Sequence, residues 1–230
     1  MSSCILKKQN LTFYKKRFEK LKYTEEATVA AKKILFLLEE KNSPHNMSTK
    51  YLLYLSKYSK NYDDKIFYQE KLAKIYFKSS TQINSAIQIW FNLISGSKSH
   101  KKNQYKFLIA KGYFKIKKYN QALLELNSIK TITKKVSLPI QLLKIKIFKE
   151  LKFWKKSIAL YKKIKKTFYI EYKKQEMAMD LISIYKHLSL HNLALRELKD
   201  LKTYHSSPNF IQRRISVVKK RIKNQPKIRR

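Results

Sequence analysis

Between Phe77 and Leu201 one five-position pattern occurs four times: an aromatic residue, a bulky one six positions on, a small one three later, then apolar residues four and three further on. The copies are Phe77, Ile83, Ala86, Trp90, Leu93; Tyr113, Tyr119, Ala122, Leu126, Ile129; Phe148, Trp154, Ser157, Tyr161, Ile164; and Tyr185, His191, Ala194, Leu198, Leu201. Every column is displaced by 36, 35 and 37 residues in turn. No single amphipathic helix produces such offsets. They mark an internal repeat, in which each copy is one supersecondary unit that buries its apolar face only by stacking on its neighbours. The alternative is an irregular helical bundle with accidental periodicity.

Each copy reads as a helical hairpin. The spacing from Tyr119 through Ala122 and Leu126 to Ile129 puts these residues on one stripe of a second helix, while Phe107, Leu108 and Tyr113 belong to a first. The turn between them, around Lys115 to Tyr119, is short and forces an antiparallel pair. Ala86, Ala122, Ser157 and Ala194 fall where the two backbones approach most closely. With only two glycines and four prolines in 230 residues, the chain has little turn chemistry for a sheet. The expectation is all-α: an α-solenoid of hairpins over 66–203, closed by a terminal capping helix.

The flanks read differently. Over 1–65 packed helices are expected, a decayed repeat among the options. Residues 11–41 read as helix with an apolar stripe through Val29, Ile34, Leu35, Leu37 and Leu38; Pro44 breaks it, and Ser48 is placed to cap a new helix carrying Tyr51, Leu52, Leu53 and Leu55. Over 204–230 the capping helix would pack Ile211, Ile215 and Val218 on the last repeat, with a basic tail beyond Asn224.

Charge is the second constraint. The net charge is +38, from 53 basic and 15 acidic residues. Such a field attracts nucleic acid, anionic lipid or acidic peptide. The cations are 46 lysines and seven arginines, in company with many Ile, Asn and Tyr. That is the residue set favoured by AT-rich codons, so genomic bias and a selected basic surface both stand as origins. Arg, the better partner for planar phosphate and base contacts, is scarce except after residue 212, where Arg213, Arg214, Arg221, Arg229 and Arg230 lie.

Nothing in the residues points to catalysis or to a cofactor. His45, His100, His187, His191 and His205 have no metal-ligand spacing with the lone Cys4, and His191 occupies a repeat column held elsewhere by Ile83, Tyr119 and Trp154. Two isolated glycines make no phosphate loop. Apolar runs such as Ile34 to Leu38 are far too short to span a bilayer. A cytosolic location is the default expectation, although the basic start, with no acid before Glu19, leaves an organellar targeting segment open.

The segment KKYNQALLELNSI resembles the tetratricopeptide repeat in its order of aromatic, Ala, bulky and apolar positions. The family's first-helix pair is replaced by Ala73-Lys74, Ile109-Ala110, Lys144-Ile145 and Leu181-Ile182, and its usual proline after the second helix is absent. In that family the first helix of each hairpin lines a groove that holds a partner segment. By register, the resemblance implies groove positions at Lys71, Lys78, Gln104, Lys111, Lys115, Lys146, Lys149, Met179, Ser183 and Lys186. A protein partner with an acidic segment is then expected; the alternative is an RNA- or ribosome-associated repeat protein with a phosphate-neutralising surface. The run from Tyr68 to Leu201 is also similar to the middle repeats of the bacterial lipopolysaccharide assembly protein B family, scaffolds at the inner membrane that adjust lipopolysaccharide synthesis through protein contacts. That family's amino-terminal membrane helix and its rubredoxin-like module with paired CxxC motifs have no counterpart in the residues here.

Overall fold

The computed structural model describes residues 2–41, 43–96, 99–130, 134–174 and 177–224. Among them are thirteen helices and no strand. The chain divides into two compact units, 1–131 and 132–230. In the first, α1 (Ser2–Lys20), α2 (Glu25–Glu40), α3 (His45–Tyr58), α4 (Tyr62–Lys78), α5 (Ile83–Ser95), α6 (Ser99–Lys115) and α7 (Tyr119–Asn127) each pack on the next. In the second, α8 (Lys134–Glu150), α9 (Trp154–Thr167), the short α10 (Tyr169–Lys174), α11 (Met177–His187), α12 (His191–Lys202) and α13 (Pro208–Lys223) follow the same rule of sequential contact.

The four copies of the pattern are the pairs α4/α5, α6/α7, α8/α9 and α11/α12, two in each unit. In every copy the bulky column is the first residue of the second helix: Ile83, Tyr119, Trp154 and His191. The small column, Ala86, Ala122, Ser157 and Ala194, is 0% exposed in all four. The two columns that follow are buried throughout. Gly112 shows how closely helices approach: a Cβ there would lie 2.7 Å from Ile87 Cγ1, so α6 meets α5 where only glycine fits without displacement.

The spacing of six between the aromatic and bulky columns has a local cause. Tyr113, Phe148 and Tyr185 each accept a hydrogen bond at the carbonyl from the N–H five residues on, Lys118 (2.9 Å), Phe153 (2.8 Å) and Leu190 (2.8 Å). Inside each of these loops a shorter bond closes the turn, Lys117 N–H to Phe114 O, Lys152 N–H to Lys149 O and Ser189 N–H to Lys186 O. Lys117, Lys152 and Ser189 have φ of 60°, 59° and 57°. This double closure around a left-handed residue is the Schellman motif, here ended at once by the next helix. The α4/α5 turn lacks it; there the Ser79 N–H bonds back to Ile75 O and Tyr76 O.

The amino-terminal third departs from the single helix expected over 11–41. Tyr23 at φ 69° and Thr24, whose side chain accepts from the Ala27 N–H at 3.2 Å, split it into α1 and α2. Val29, expected on the apolar stripe, is 54% exposed, because the buried positions of α2 run Ala27, Ala30, Ala31, Ile34, Leu35, Leu37, Leu38 and leave it outside. Ser48 does not start a helix: α3 already begins at His45 behind Pro44. Ser48, Leu52 and Leu55 nevertheless keep the spacing of the last three repeat columns, with both leucines buried. At the other end α13 buries Ile211, Ile215 and Val218 against the core of the second unit, as expected of a cap. The basic tail beyond Asn224 lies outside the described residues.

Candidate binding clefts

The α4 helix carries Lys71, Lys74 and Lys78 at spacings of three and four, which puts them on one face. Asn61 starts this helix by accepting from the Asp63 N–H at 2.8 Å, and Asp63 and Asp64 complement its first turn. The three lysines border a cleft of about 570 Å³ between α4 and the α2/α3 connection. Leu38 and Leu52, both buried, and half-buried Ile75 give it an apolar floor, with Ser43, Pro44 and Ser48 along the opposite side. Its one acid, Glu39, accepts from Lys71 Nζ at 2.6 Å. Lys71 Nζ also sits 4.7 Å from the centre of the Phe67 ring. Lys74 is exposed and makes no ion pair among the described residues.

The ten groove positions implied by the resemblance divide five and five between the units. Lys71 and Lys78 come together in the α4 cleft. On α6, Gln104 is exposed, Lys111 lies over the Phe77 and Phe107 rings at 5.7 and 5.8 Å, and Lys115 donates to the Phe77 carbonyl at 2.9 Å. In the second unit Lys146 is exposed on α8, while Lys149 pairs with Asp180 of α11 at 3.2 Å. Met179 packs partly buried against the core, Ser183 is exposed and Lys186 is half-buried. Several of these lysines thus tie one first helix to the next: Lys71 to Glu39, Lys115 to Phe77, Lys149 to Asp180. Glu70 completes the pattern by accepting from both Lys101 and Tyr105.

A second cleft, of about 700 Å³, opens in the carboxy-terminal unit between α9, α11 and α12. Its acids are Glu197, only 8% exposed, and Asp200. Lys165 donates to both, at 2.8 and 2.6 Å, and the buried Tyr172 hydroxyl donates to Glu197 at 2.7 Å. Burial opposes the charge on Lys165, but the hydrogen bonds to Asp200 and Glu197 outweigh it and hold the ammonium above its ordinary pKa. Burial, then the bond to Glu197, raises the Tyr172 hydroxyl far beyond the usual phenol range. The acids are therefore neutralised from within, and Lys162, Lys166 and Arg196 on the rim have no carboxylate partner among the described residues.

Sequence reasoning missed Lys74 and this second network. Lys74 was legible from its spacing to Lys71 and Lys78. Glu197 had a signal too: in a chain with so few acids, one stands directly beside the core column residue Leu198. Among the described residues no three His, Cys, Asp or Glu side chains gather to hold a metal ion, and no helix is long and apolar enough to cross a membrane. His187 packs on the Trp154 ring with centroids 4.8 Å apart. No protein-family profile and no curated protein matches the chain.

Proposed function

We propose that the hairpins of both units are divergent tetratricopeptide-like repeats, and that the protein is a non-enzymatic binding scaffold whose α4 cleft takes an acidic, partly apolar segment of another protein. The observation that carries the reading is the pairing of Lys71, Lys74 and Lys78 with an apolar floor of Leu38, Leu52 and Ile75 in one concavity. A lysine row alone would offer only a screened field; a floor beneath it lets apolar side chains of the bound segment leave water while its carboxylates stay at the rim. Of the cleft's polar side chains only Glu39 is acidic, and Lys71 already neutralises it. A regulatory part in lipopolysaccharide assembly is the more specific form of this proposal, and it rests on the resemblance of the run from Tyr68 to Leu201 alone.

The test is fluorescence anisotropy with a labelled extended peptide of alternating Glu and Leu, titrated at physiological and raised salt. The expected outcome is saturable binding that retains part of its strength at high salt, and a loss of at least about tenfold on Lys74→Glu combined with Lys78→Glu, since both attractions become repulsions. Equal affinity of the variant would remove the cleft from the account.

A further inference from the structure

We infer that the outer, cationic face of α13 is a binding surface for single-stranded nucleic acid, separate from the α4 cleft. The helix carries Arg213, Arg214, Lys219, Lys220, Arg221 and Lys223 and no acidic residue. None of these six cations has a carboxylate partner among the described residues. The nearby acids Glu197 and Asp200 are already held by Lys165. From 213 to 223 the cations extend over about 15 Å at the α-helical rise, the length of roughly four stacked nucleotides.

Residue choice points the same way. In a chain with 46 lysines and seven arginines, three of the six cations on this one helix are arginine. A codon bias that fills solvated faces with lysine leaves arginine where the guanidinium itself is needed: a planar fork for phosphate oxygens and a flat surface for a base. The geometry supplies that surface. The Arg214 guanidinium carbon stands 4.5 Å from the centre of the Phe210 ring, and Phe210, 46% exposed, in turn stacks on His205 with the planes 24° apart. An exposed aromatic with a guanidinium 4.5 Å from its centre, flanked by cations without a carboxylate partner, offers flat surface to unstacked bases and charge to phosphates.

The main competing occupant is an anionic membrane surface, for which basic amphipathic helices are suited. Here the apolar face of α13 is spent: Ile211, Ile215 and Val218 are buried in the core of the second unit and have nothing left to insert into lipid. Outward the helix offers cations, Phe210 and one aliphatic side chain, Val217, 48% exposed, which alone makes no apolar face to insert into lipid.

The experiment is anisotropy of a short labelled oligouridylate with the full chain across a salt series. Wild type should bind with a linear loss of log affinity against log salt. Arg213→Lys, Arg214→Lys and Arg221→Lys together keep the charge and remove the forks; affinity should fall about tenfold while the salt slope stays unchanged. Phe210→Ala should weaken binding at least about fivefold through lost stacking. All four side chains are partly or fully exposed, and thermal melting of the variants should match wild type. The inference is overturned if the Arg→Lys variant binds as wild type does, if Phe210→Ala is silent, or if polyglutamate of matched charge displaces the oligonucleotide equally well, because each outcome reduces the surface to diffuse charge. Loss of peptide binding in the α4 variants leaves this result unaffected, so the two sites fail separately.

Discussion

Ala122 has no exposed surface, and neither have Ala86, Ser157 and Ala194 at its equivalent positions. Replacing it with tryptophan forces atoms into a closed contact between helices, so Ala122→Trp is expected to cost about 1–3 kcal/mol or more, whereas Lys130→Trp on an exposed position should be nearly silent. Thermal melts of the two variants check the register; equal shifts would contradict it. The small column was readable from the sequence because a helix contact imposes size at a fixed period. The pairing of Glu197 with Tyr172 was not, because it depends on α10, a short helix outside the repeat pattern. Their network predicts an alkaline limit to stability. Burial, then hydrogen bonds to Glu197 and Asp180, raises the Tyr172 and Tyr161 hydroxyls, and Lys165 is raised as described. Unfolded, such phenols lose their protons near pH 10 and lysine near 10.4; folded, they hold them longer. The unfolded state then binds fewer protons, and stability that is complete at lower pH is lost as pH rises beyond about 10. Melting temperature measured from about pH 8 to 11 should fall more gently in Tyr172→Phe than in wild type; parallel curves would discount the network.

The helical hairpin is the element at which sequence and structure agree best, its short turn included; the backbone conformation inside that turn is what the sequence did not show. The turn expected around Lys115 to Tyr119 lies between the end of α6 and the start of α7, and the bulky columns Trp154 and His191 open α9 and α12. The left-handed residues that close those turns are Lys117, Lys152 and Ser189, and Tyr23 breaks the first long helical stretch in the same conformation. Without a glycine at any of them, composition carried no signal of a turn, and residues 11–41 read as one helix. A lysine in that region bears the steric cost of its Cβ against the carbonyl. Lys152→Gly should therefore stabilise the protein by about 0.5–1 kcal/mol, the relief exceeding the added freedom of the unfolded chain, while Lys152→Val should destabilise it by a similar or larger amount. Chemical denaturation of the two variants reads the sign directly; destabilisation by glycine would mean the turn is not under strain.

At the scale of the molecule, each unit has its own apolar core: one runs from Ile145 to Val218, the others from Phe18 to Ile109. Within each unit the helices hold together by contacts between neighbours in sequence. The net charge of +38 made a basic surface certain from composition alone, but not where it is focused, since lysine is common on every solvated face. The structure separates the lysines by what lies beneath them. Lys71, Lys74 and Lys78 border a cleft with an apolar floor, whereas Lys155, Lys156 and Lys163 are exposed on α9 and border neither cleft. Replacing either set by glutamine lowers the net charge equally. The direct measurement is acidic-peptide affinity of the two triple variants side by side: the account predicts a loss of at least about tenfold for Lys71, Lys74 and Lys78 and less than about twofold for Lys155, Lys156 and Lys163, while equal losses would contradict a focused cleft and leave only diffuse charge.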